Sequence, residues 1–92
     1  MGRVAETIRA KLTAALAPAR LAVVDESHRH AGHAGARPEG ESHFNVTIVA
    51  AAFAGQSRVA RQRLVYGLLA EELRTDIHAL SLTTLTPAED AG

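Results

Sequence analysis

The 92-residue chain contains no cysteine. That excludes disulfides, thiolate nucleophiles and any all-cysteine metal centre built from this chain alone. Aromatic residues are scarce as well: two phenylalanines, one tyrosine and no tryptophan, which cannot form a stacking platform for single-stranded nucleic acid. There is no apolar run of about 18 residues and no signal-peptide core, so a soluble, cytoplasmic protein without a membrane partner is expected. Met1-Gly2 opens like a myristoylation signal, but Glu6 stands where Ser or Thr is required. Charge of one sign is missing too. Ten basic and ten acidic residues cancel, so the molecule as a whole has little nonspecific attraction for DNA or anionic lipid.

What is present fits one globular domain over residues 1–92, with 47% hydrophobic and 22% charged residues and room for a single modest core. Five histidines are the compositional oddity, and three of them, His28, His30 and His33, fall close together.

The spacing of Val4, Ile8 and Leu12, continued by Ala15 and Leu16, predicts an amphipathic helix over 3–16, ended by Pro18. A short strand, 20–25, follows. Residues 26–41 hold Gly32, Gly35, Pro38 and Gly40 without periodicity and read as a long loop, a length that usually signals function or disorder. Alternation of Phe44, Val46 and Ile48 predicts a second strand, 43–50, antiparallel to the first, with His43 on its outer side. Phe53-Ala-Gly55 is a turn, and Ser57 is a plausible N-cap. From Arg58, Leu64 and Leu68 together with Val65, Leu69 and Leu73 predict one long helix with a broad apolar face, leaving Arg63, Gly67, Glu71 and Arg74 to water. After Thr75-Asp76 the period drops to two, which predicts a third strand from Ile77 with His78 second in it, at a strand end open to solvent. Thr86-Pro87-Ala88-Glu89 is a helix-start signature, and it predicts a stub in the 86–92 tail. The order is α-β-β-α-β: an α+β domain with helices on one face of a three-stranded sheet.

His28-x-His30-x-x-His33 could ligate zinc, copper, nickel or iron, but a zinc site wants four ligands in firm geometry, and a glycine-rich loop alone does not supply them. A loop histidine and His78 could instead converge on a shared site, with the remaining ligands, including any thiolate, coming from a partner. Gly32-His-Ala-Gly35 spells G-x-x-G, yet it falls between strands and lacks flanking basic residues. Arg58, Arg61 and Arg63 form the one candidate phosphate-binding cluster, at a helix start that favours anions. Asp25, Glu26, Glu39 and Glu41 flank the loop with no apolar pocket to shift their pKa values, so acid–base catalysis is not expected.

Taken in order, several of these residues resemble the BolA family. They are Asp25-Glu26-Ser27 with His30, Ser42-His43-Phe44, Phe53-x-Gly55, Arg61-x-Arg63-x-x-Tyr66, Ala70-Glu71-Glu72-Leu73, Ile77-His78-Ala79-Leu80-Ser81-Leu82 and Thr86-Pro87. The resemblance implies a class II KH-like α-β-β-α-β domain whose three-stranded mixed sheet carries helices on one face. It also implies a non-enzymatic partner of monothiol glutaredoxins that shares a [2Fe-2S] cluster, with the partner's cysteine and a glutathione on one side. By resemblance His78 is one ligand of this chain and His30 the other; because the loop is longer than the common form around 31–37, His33 is a rival. Some members regulate transcription and bind DNA through the Arg-x-Arg helix, but Gln62 replaces the usual histidine between those arginines. The expectation is therefore an iron–sulfur adaptor for cluster trafficking or iron sensing, as a monomer or weak homodimer when free. A DNA-binding regulator using Arg58, Arg61 and Arg63 comes second, and an independent zinc or copper binder using His28, His30 and His33 third.

Overall fold

The computed structural model describes residues 2–26 and 42–92. His28, His30 and His33 lie outside the described residues. Three strands form one sheet in the order β1-β2-β3: β1 (Arg20–Asp25) antiparallel to β2 (His43–Val49), and β2 parallel to β3 (Ala79–Leu85). The first helix, α1, runs Arg3–Leu16 as the spacing predicted, and Val4, Ala5, Ile8, Leu12 and Leu16 are buried. Ala15, expected to continue that face, is exposed. The backbone turns left-handed at Ala17 (φ 44°), and Pro18 prevents another helical turn.

A parallel pair needs a crossover, and the helical stretch after Ser57 provides it. Ser57 caps that stretch by accepting the Ala60 N–H. The stretch is not one helix. It bends at Leu69 into α2 (Arg58–Leu68) and α3 (Ala70–Thr75), while the Leu69 N–H still bonds to the Val65 carbonyl and the Leu73 N–H to the Leu69 carbonyl. Gly67, a poor helix former with open space where a Cβ would sit, precedes the bend. The buried face also differs from the expected one. Leu64 is 36% exposed and Leu68 half-buried, while Arg61 takes a buried place one turn before Val65.

The core lies between the helices and the inner face of the sheet. Phe44, Val46 and Ile48 from β2 meet Ile8 and Leu12 of α1, with Val65, Leu69, Phe53 and Ile77 completing the cluster. Alternation turns the other face outward, where Val24, Ala79, Ser81 and Thr83 are exposed. Two side-chain ties hold α1 to α3 and its C-cap: Lys11 to Glu72 at 2.8 Å, and Arg3 to Asp76 at 3.3 Å. The final helix, α4 (Pro87–Ala91), starts with the expected capping box, in which the Thr86 hydroxyl accepts the Glu89 N–H and the Glu89 carboxylate accepts the Thr86 N–H.

Core and surface should separate in stability. Ile8 is fully buried and Val59 is 59% exposed. In urea unfolding, Ile8→Val is expected to cost about 1 kcal/mol, and Val59→Ala less than about 0.5 kcal/mol.

Candidate functional site

The sheet has two ends with different chemistry. At one end β1 finishes while β2 and β3 begin. There the Glu26 N–H donates to the His43 carbonyl at 2.8 Å. The Ser42 carbonyl accepts two N–H groups, from His78 at 2.6 Å and from Ala79 at 3.1 Å. This shared acceptor fixes the backbone of His78 one residue before the strand begins, so His78 precedes β3 and is not its second residue. Its neighbour Ile77 turns into the core, and the His78 side chain is exposed.

His43 joins this end, which sequence alone does not reveal. The parallel register sets His43 opposite Ala79, and its ring centroid lies 5.6 Å from that of His78, tilted by 46°. His43 does follow the outward parity of its strand, but the residue is only 8% exposed, and its Nδ1 is 2.9 Å from the Ser42 hydroxyl. A groove beside the pair is lined by Arg74, Asp76 and His78, and another by Glu26, His43 and Ser81. Glu26 and Ser42, the described residues on either side of 27–41, both lie at this end. Among the described residues no three His, Cys, Asp or Glu side chains converge to hold a metal ion. His78 is thus suited to be one ligand of an open set: an accessible imidazole on a fixed backbone.

The arginine cluster resolves differently from its expected role. Arg58 and Arg63 are exposed, but Arg61 is 5% exposed and committed to the fold. Its Nε donates to the Gln56 carbonyl at 3.0 Å, and Nη1 to the Thr84 carbonyl at 3.1 Å. Nη1 and Nη2 also fork onto the Glu89 carboxylate at 2.7 and 3.3 Å. The guanidinium lies 5.8 Å from the Phe53 ring centroid. Arg61 therefore cannot be counted as a free phosphate contact, because its fork is already filled by carbonyls and a carboxylate. The non-local signal that would have flagged it is Glu89, 28 residues away.

The Arg61 hydrogen bond, with the Thr86 N–H next, holds the Glu89 carboxyl well below its ordinary 4.5, at about 2. Because the folded value is depressed, this contribution to stability is complete above about pH 4.5 and disappears as the pH falls toward about 2. Glu89→Gln should flatten the acid limb of a stability–pH profile across that window. An unchanged acid limb in denaturant titrations at stepped pH would show that the ion pair contributes nothing there.

A family profile described as BolA-like protein matches residues 12–89. The chain is similar to the chloroplastic protein BOLA1 of Arabidopsis thaliana, at 51% identity over 87 residues, covering 92% of this chain and 54% of that protein. It is similar to SufE-like protein 1 of the same plant, at 51% over 86 residues, covering 89% of this chain and 23% of that one. With the DNA-binding transcriptional regulator BolA of Escherichia coli it shares 48% over 87 residues, covering 95% of this chain and 79% of the regulator. Among solved structures, the BolA domain of SufE1 from Arabidopsis thaliana matches with a TM-score of 0.87 at 48% identity, covering 97% of this chain and 98% of that domain. The chain thus spans about a quarter of one plant relative and about half of the other. Relatives named for organelles and a bacterial regulator share this domain, so the domain by itself does not fix a cytoplasmic address. No described helix is long and apolar enough to cross a membrane.

Proposed function

The chain belongs to the BolA family, and from that premise we propose that it is a non-enzymatic adaptor that docks a monothiol glutaredoxin and co-ligates a shared [2Fe-2S] cluster. The reading is carried by one observation: the exposed His78 stands on a backbone held by Ser42, at the end of the sheet where Glu26 and Ser42 flank residues 27–41. His78 is the fixed ligand and His30 the second one, with His33 as its rival. The partner's cysteine and glutathione complete the set, which suits a chain that has no thiolate to offer. Histidine ligation raises a cluster's potential relative to all-thiolate ligation, and it makes the hold on the cluster sensitive to protonation. The work of this chain is to hold the His78 imidazole on a fixed backbone, so that this ligand needs little ordering when the partner arrives. A cytoplasmic setting and a role in cluster trafficking or iron sensing belong to the same proposal.

Visible absorption and circular dichroism of clusters assembled from the chain, a monothiol glutaredoxin, glutathione and iron test this directly. His78→Ala should abolish the change in the bands that the chain produces, with little loss of thermal stability because the ring is exposed. His30→Ala should do the same and His33→Ala should not; the reverse order would make His33 the loop ligand. Unchanged bands in His78→Ala would end the adaptor reading.

A second reading is favoured by the name of the Escherichia coli relative, a DNA-binding transcriptional regulator. Here the exposed Arg58 and Arg63 would meet phosphates. Arg58→Ala and Arg63→Ala should each weaken binding to duplex DNA across sequences and reduce the salt slope by about 1. Arg61→Ala is a poor probe of this reading because it also removes an internal tie.

A further inference from the structure

The end of the sheet opposite His78 carries a second constellation. Arg20 opens β1 there, facing Val49, the last residue of β2. Its Nη2 donates to Asp90 Oδ1 at 2.6 Å and its Nε to Asp90 Oδ2 at 3.4 Å. The next carboxylate along α4, Glu89, receives the fork of Arg61 and feels the charge of Arg58. Two guanidinium groups from two elements thus fork onto two adjacent carboxylates, and Arg58, one turn before Arg61 on α2, adds a third positive charge to the same end. We propose that Arg20, Arg58 and Arg61 form a phosphate-binding site and that the Glu89 and Asp90 side chains of α4 plug it as a displaceable internal anion.

Two features make the plug removable. The helix that carries it has only five residues and none of them is buried. Apolar burial therefore does not hold α4 in place; the capping box and the two carboxylate forks do. A short terminal helix with no buried residue of its own, held by one exposed and one half-exposed ion pair, opens at low free-energy cost. The fork geometry is also transferable, because a guanidinium accepts a phosphate in the same bidentate manner as a carboxylate. A polyanion that displaces α4 would gain Arg20 and the outer donors of Arg61, while the Arg61 bonds to the Gln56 and Thr84 carbonyls persist. The site lies about 20 Å along the strands from His78, so it is independent of the cluster reading. It goes beyond the DNA reading by adding Arg20 and an occluding anion.

The full chain and its Glu89→Gln/Asp90→Asn variant can be titrated with a short random-sequence DNA duplex and, separately, with inorganic tripolyphosphate. A matched control, Glu6→Gln/Glu71→Gln, removes the same charge from exposed positions elsewhere. The plug variant should bind about tenfold more tightly than wild type at low salt, with a steeper salt dependence, and the control should not. Adding Arg20→Gln to the plug variant should reverse the gain. A gain for both ligands assigns a general phosphate site, and a gain for the duplex alone assigns a nucleic-acid backbone site. No gain in the plug variant, an equal gain in the control, or a gain that survives Arg20→Gln overturns the proposal. Thermal melting of each variant, with Asp90→Asn alone as the mildest, verifies that the compared proteins are folded.

Discussion

The carbonyl oxygen of Ser42 receives the N–H groups of both His78 and Ala79, and the arrangement of the domain depends on that junction. It starts the parallel ladder between β2 and β3, in which His43 stands beside Ala79 and Val49 beside Leu85. A slip of one residue would exchange the faces of β3, sending Leu80, Leu82 and Thr84 outward and Ser81 and Thr83 inward. The junction also sorts two neighbours whose roles could not be more different, Ile77 into the core and His78 into solvent. The crossover through α2 and α3 must deliver the chain to this point, with α2 against α1 and β3 and α3 tied to α1 by Lys11 and Glu72.

The free edge of β3 is managed from the same crossover. Ala79 donates to Ser42 and Leu85 accepts from Ala50, so odd-numbered residues face β2 and the backbone groups of Leu80, Leu82 and Thr84 face outward. Arg61 takes the Thr84 carbonyl, and the Tyr66 hydroxyl lies 3.5 Å from the Leu80 carbonyl. Two of the three outward acceptors are thereby occupied by α2 side chains. An uncharged edge strand, Ala79-Leu-Ser-Leu-Thr-Thr-Leu85, is otherwise an invitation to pair with other chains. An arginine that looks in sequence like part of a nucleic-acid patch thus serves as a strut for the strand that follows the histidine.

Local signals were legible from sequence, and long-range ones were not. The bounds of α1 and β1 follow from helical spacing, Pro18 and a short apolar run. The caps at Ser57 and Thr86 follow from side chains that bond three residues away, so neither depends on the tertiary structure. The burial of Arg61 was not legible because its partners, Thr84 and Glu89, lie 23 and 28 residues downstream. The approach of His43 to His78 depends on a parallel register that no single strand encodes. The start of β3 shifted from Ile77 to Ala79 because alternation cannot tell a residue paired in the ladder from one that only leads into it. The change of period after Asp76 already draws attention to His78, and the exposure of that residue at this end of the sheet agrees with it.

The antiparallel pairing of β1 with β2 closes over residues 27–41, and the ends of that segment are secured by bonds that do not involve its interior, such as Glu26 N–H to the His43 carbonyl. Chain closure grows costlier only logarithmically with length, by about 0.6 kcal/mol for each doubling. By this term alone, lengthening the chain between Glu26 and Ser42 adds little to the cost of closing the sheet. The chain entering and leaving residues 27–41 can thus change length at this end of the sheet, while His78 beside it is pinned by the architecture.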